Sequence, residues 1–124
     1  MKELIIHPNK KLAEIQQEFS QCYPFLRLAF YTFPHRIGRL SSEEDLLDKN
    51  LTIQQLQLPT CQGRISLDGQ QKVAQFEQAF SQKFGLHTQV LRKSYGKWLQ
   101  TWITDVWTLE EQNYRGQLTG NKEV

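Results

Sequence analysis

The chain has 124 residues, of which 39% are hydrophobic and 11% aromatic. This length predicts a single domain with one core and leaves no room for a second. The formal net charge is only +2, so the overall field favours neither a nucleic-acid nor a membrane partner, and any charge argument has to be local.

The amino-terminal apolar run covers only Leu4–Ile6. Because this is too short for a signal-peptide core or a membrane span, we expect a cytoplasmic protein. The candidate metal ligands are scattered along the chain without ligand spacing, so we expect no metal and no cofactor. They are Cys22, Cys61, His7, His35 and His87.

An internal repeat organises the chain at an offset of 61 residues. The identical pairs are Lys11 and Lys72, Ala13 and Ala74, Gln17 and Gln78, Phe19 and Phe80, Ser20 and Ser81, and Gln21 and Gln82. Such self-similarity predicts two copies of one supersecondary unit. We place the units at residues 3–33 and 63–92, joined by a connection over residues 34–62.

The first unit predicts strand, helix and strand. Leu4–Ile6 is a short apolar strand. A helical face follows at spacings of three and four residues, formed by Leu12, Ile15, Phe19 and Tyr23. Pro24 ends the helix, and residues 25–33 alternate as a strand that directs Leu26, Leu28 and Phe30 towards the core.

The connection contains a capping box of Thr52 and Gln55, which predicts a short helix over residues 53–57. The second unit then repeats the pattern, with a strand at 64–67 and a strand at 86–92. Its helical face consists of Val73, Phe76, Phe80 and Phe84, and Gly85 ends the helix.

Residues 94–96 predict a tight turn into a fifth strand over 97–103. Thr108 and Glu111 form a second capping box, which predicts a short helix ending near Asn113. The folded domain is therefore expected to span residues 1–115, with the fifth strand and this helix within 97–113. Residues 116–124 are expected to form a flexible tail.

Two β-α-β units in tandem resemble the ferredoxin-like fold. The expected class is α+β, with both units on one mainly antiparallel sheet. The carboxy-terminal part is also similar to a family of small uncharacterised bacterial proteins, which implies no particular activity. The residues that carry this similarity are Phe84–Leu86, Gln89–Val90, Arg92–Ser94, Trp98–Leu99, Thr104–Asp105 and Trp107–Asn113.

The sequence has no nucleophile motif, and the acidic run Glu43–Asp45 lacks the ligand spacing of a calcium loop, so we do not expect an enzyme. Two groups of cations are candidate contacts for an anion or a nucleic acid. They are Arg36 and Arg39 in the loop after the second strand, and Arg92, Lys93 and Lys97 around the hairpin. Pairing with nearby acids, or protection of a strand edge, accounts for the same charges more simply.

The strand at 25–33 also directs apolar residues away from the helices. We expect Tyr31, Phe33, Trp98 and Trp102 to share this second sheet face, which is too apolar to leave in water. Either the carboxy-terminal helix covers it or another protein does. The preferred function is therefore a non-catalytic protein-interaction module, acting as a homodimer or an accessory subunit, and the alternative is a nucleic-acid or anion-binding domain.

Overall fold

The fold is known from a computed structural model, which describes residues 2–32, 45–101 and 104–122. Five strands, three α-helices and one short 3₁₀ turn are described. In chain order they are β1 (Glu3–Ile6), α1 (Leu12–Cys22), β2 (Leu26–Tyr31), the 3₁₀ turn (Gln54–Leu56), β3 (Gly63–Ser66), α2 (Val73–Phe84), β4 (His87–Ser94), β5 (Lys97–Gln100) and α3 (Leu109–Thr119).

The strands form two antiparallel sheets. β1 pairs with β3 in a two-stranded sheet, and β4 lies between β2 and β5 in a three-stranded sheet. The α+β class and the antiparallel pairing are confirmed. The expectation of one shared sheet is wrong for the described residues, so the ferredoxin-like arrangement is not what they show.

The outer edge of β2 shows why β1 and β3 do not join it. Gln16 on α1 donates from Nε2 to the Leu28 carbonyl at 2.8 Å, and the Ser20 hydroxyl donates to the Leu26 carbonyl at 3.0 Å. Further along, the Leu47 N–H donates to the Phe30 carbonyl. These bonds occupy the edge at which another strand would have to pair.

Positions 61 residues apart make matching contacts. Leu4 pairs with Ile65, its own counterpart, as a twofold relation between the units would require. The N–H of Leu12 donates to the Leu51 carbonyl at 3.0 Å, and the N–H of its counterpart Val73 donates to the Trp107 carbonyl at 2.9 Å. These matches support the internal repeat and extend it to the segments that contain the two capping boxes.

The core lies between the helices and the two sheets. Phe19 and Phe80 are both fully buried, as the repeat predicts. Phe19 packs on Phe76 with ring centroids 5.2 Å apart, and Phe80 meets Phe30 edge-on at 5.9 Å. The aromatic side chains of both units therefore form one continuous cluster.

Helix α3 is longer than predicted. It begins at the Thr108 cap, whose hydroxyl accepts from the Glu111 N–H at 3.1 Å, but it runs to Thr119. The predicted end near Asn113 is wrong, as is a flexible tail at 116–119. Gly116 lies buried inside this helix, where an added Cβ would come within 2.7 Å of the Phe25 Cβ. This glycine permits close packing and does not end the helix.

Candidate interaction surface

The three-stranded sheet has one covered face and one partly open face. Leu28 of β2 is directly opposite Val90 of β4, and both are fully buried in the core against the helices. Since side chains alternate along a strand, the neighbouring residues point to the other side. We call this side the outer face; it carries Arg27, Ala29, Tyr31, His87, Gln89, Leu91, Lys93, Trp98 and Gln100.

A groove of about 750 Å³ runs over the outer face. The residues of β2 and β4 form its floor, the segment 46–49 forms one wall, and β5 forms the other. Its lining residues are Gln16, Arg27, Leu28, Ala29, Tyr31, Leu46, Leu47, Asp48, Lys49, Leu91, Trp98 and Gln100. This volume lies within the range of sites that bind small molecules or single anchoring side chains.

Burial differs between the floor and the rims of the groove. Tyr31 is only 6% exposed and pairs through its backbone with Leu46. On the rims, Leu46 is 50% exposed and Trp98 is 37% exposed. The chain therefore covers part of the predicted apolar face itself and leaves two large apolar side chains accessible at the groove.

The Trp98 end of the groove carries a cation. The Arg27 guanidinium carbon lies over the Trp98 ring, 5.8 Å from its centroid. Lys93, directly opposite Trp98 in the sheet, is on the same face, and Lys49 lies in the wall beside Asp48. In the part of the chain that the structure describes, no carboxylate forms an ion pair with Arg27.

Helix α3 does not cover the groove. Arg92, which faces the helix side of the sheet opposite Leu26, lies 5.7 Å from the centroid of Trp107 and donates to Gln112 at 3.1 Å. Leu109 is fully buried in the core. Of the two expected covers, the carboxy-terminal helix is thus ruled out as a cover of the outer face.

The predicted cations do not converge on one patch. Arg92 and Lys93 are adjacent on β4, so they point to opposite faces; Lys93 donates to Asn121 at 3.1 Å. Lys97 is exposed at the start of β5, opposite Ser94. Burial, followed by the charge of Arg115, lowers the pKa of Arg92. The arginine belongs to the α3 contact more than to an open binding site.

Four predicted site residues lie outside the described residues. They are Phe33, Arg36, Arg39 and Trp102. The acidic run 43–45 is described only at Asp45, whose carbonyl accepts from the Thr32 N–H at 2.8 Å. The predictions for these positions stay predictions.

The sequence reading missed Glu77, a buried carboxyl on α2. It is 7% exposed, and its Oε2 accepts from the Val90 N–H at 2.8 Å. Burial, and to a lesser degree the charge of Asp105, raises its pKa to about 8 against the one opposing effect of that hydrogen bond. The repeat places Gln16 at the equivalent position, so the pair Gln16 and Glu77 was the available sequence signal.

Within the described residues, no group of three or more potential ligands could hold a metal ion, and no helix is long and apolar enough to cross a membrane. Comparisons of the chain with protein-family models, with curated proteins and with solved structures found no match.

Proposed function

We infer that the chain is a cytoplasmic, non-catalytic module that binds a protein through the groove on the outer face. The observation that carries this inference is the placement of Leu46 and Trp98 as exposed rims over a largely apolar floor. Exposed apolar side chains beside a concave apolar surface are typical of a binding site and are costly to leave in water.

The composition of the groove suits protein binding. Tryptophan and arginine are enriched among the residues that dominate binding energy at protein interfaces, and here Arg27 and Trp98 stack on one another. Polar groups lie around the apolar floor, at Gln16, Asp48 and Lys49. An apolar centre with a polar border is the usual anatomy of such interfaces.

Site-specific photocrosslinking in cells that make the protein tests this function. A benzophenone amino acid replaces Leu46 at the groove rim, and the matched control replaces Leu118, which is 44% exposed on α3. We expect a discrete crosslinked protein from position 46 and none from position 118. Equal crosslinking from both positions, or none from position 46, would refute the assignment of the groove.

Light scattering on the purified protein separates the two forms of the proposal. A monomer at tens of micromolar means that the module is an accessory subunit for a different protein. A concentration-dependent dimer that the Leu46→Ser change dissociates means self-association through the groove.

Nucleic-acid binding is the second candidate. The observation in its favour is the stack of Arg27 on exposed Trp98 beside Lys93, because cations combined with aromatic side chains suit single strands. A gel-shift titration with an oligothymidylate tests it. We would expect binding that weakens steeply with salt and is lost in Trp98→Ser.

A further inference from the structure

We propose that the groove takes a short extended segment of a second protein, with a carboxylate of that segment on Arg27 and its apolar side chains on the groove floor. This inference rests on the proposed function of the groove as a protein-binding surface, and it adds the chemistry of the partner.

Arg27 is the residue that selects for a carboxylate. Its side chain is exposed, and Trp98 holds the guanidinium from one side. The guanidinium presents a planar fork of donors that matches a carboxylate bidentately, and stacking on an aromatic ring fixes the orientation of that fork. Since no carboxylate among the described residues pairs with Arg27, its donors are available to a ligand.

The remaining charges around the groove have the same sign as Arg27. Lys49 lies in the wall and Lys93 lies opposite Trp98, whereas Asp48 is the acidic residue of the lining. A segment that carries acidic side chains therefore complements the groove, and a basic segment is repelled.

The dimensions of the groove fit a segment of about six residues. From Arg27 to Tyr31 the floor follows four residues of β2, roughly 13 Å at about 3.3 Å per residue. Trp98 lies one further pair of residues beyond Arg27, which extends the groove to roughly 20 Å. In an extended segment, alternate side chains would contact the floor while the others reach the charged rims.

Charge argues against a second copy of this chain as the occupant. A twofold contact between two outer faces would bring Arg27, Lys49 and Lys93 of one copy against the same cations of the other. Like charges brought together at an interface cost binding energy, and Asp48 alone in the lining would have to offset them.

The groove also suits a peptide better than a nucleic-acid strand. Single-strand sites use a row of accessible aromatic side chains along a cationic track. Here Tyr31 is buried in the floor, the rest of the floor is aliphatic, and Asp48 would face the phosphates.

Calorimetry with defined peptides tests the inference. The probe is the blocked hexapeptide Glu-Leu-Glu-Phe-Glu-Leu, and its matched control is Lys-Leu-Lys-Phe-Lys-Leu. We expect the acidic peptide to bind and the basic one to bind at least about tenfold more weakly, the effect of a charge-assisted contact. Arg27→Gln should weaken the acidic peptide about tenfold, Arg27→Lys less, and Arg64→Gln, an exposed change on β3, not at all.

Each other result overturns the inference. These results are equal binding of both peptides, unchanged affinity in a folded Arg27→Gln variant, displacement of the acidic peptide by an oligothymidylate, and no binding at millimolar peptide. If these occur while position 46 still crosslinks to a protein, the proposed function survives and only the chemistry of the partner is wrong. If position 46 also fails to crosslink, both fail.

Discussion

Replacing Glu77 by Gln should make the protein more stable at neutral pH. The carboxyl is 7% exposed and its pKa is raised to about 8, chiefly by burial. Between its ordinary value of 4.5 and about 8, the folded state holds a proton that the unfolded state has lost. Stability from this group is therefore fully present below pH 4.5 and declines as pH rises towards 8.

The magnitude follows from the proton linkage. One proton bound only by the folded state changes the free energy of unfolding by about 1.4 kcal/mol per pH unit. From pH 5 to pH 7 the wild type should accordingly lose up to about 3 kcal/mol relative to Glu77→Gln. The neutral amide keeps an oxygen that can accept from the Val90 N–H, and Gln16 shows that the fold accommodates glutamine at the equivalent helix position.

Urea unfolding at pH 5, 6, 7 and 8 measures this difference. The quantity of interest is the free energy of unfolding of Glu77→Gln minus that of the wild type, because other titrating groups cancel from it. Glu3→Gln, at an exposed position on β1, is the control for removing one surface carboxyl. A difference that stays constant across this pH range would show that Glu77 is already ionised in the folded protein and would refute the reasoning.

Three further predictions concern the core, helix α3 and metal content. Phe80→Ala should cost roughly 3–5 kcal/mol in chemical denaturation, as for other large aromatic side chains removed from a core, and a loss below about 1 kcal/mol would contradict the assigned helix face. Gly116→Ala should destabilise by about 1–3 kcal/mol although alanine favours helices, because the new methyl would meet Phe25; exposed Gln117→Ala should change stability by less than about 0.5 kcal/mol, and equal effects would contradict the close packing. Elemental analysis of the purified protein should find no stoichiometric metal, and one zinc or iron per chain would overturn that expectation.

Local patterns were sufficient for the elements themselves. The apolar spacing of Leu12, Ile15 and Phe19 places α1 correctly, and the same spacing places α2 up to Gly85, which adopts the expected left-handed conformation with φ 70°. Thr52 and Thr108 cap the segments that their motifs indicate. Alternation along the second strand placed Tyr31 on the face opposite the core. These features depend on neighbours within a turn or a strand, so a short stretch of sequence determines them.

The positions of the sheets, of Gly116 and of Glu77 depend on residues far apart in the chain. Strand alternation does not say which strands pair, and here hydrogen bonds from Gln16 and Ser20 close the edge that a single sheet would need. Whether a glycine ends a helix or packs inside it depends on what approaches it, here Phe25. The sequence by itself determined the amphipathic elements, their caps and the outward aromatic side chains; only the tertiary structure decided the division into two sheets and the groove, because long-range pairing and close packing are set by distant partners.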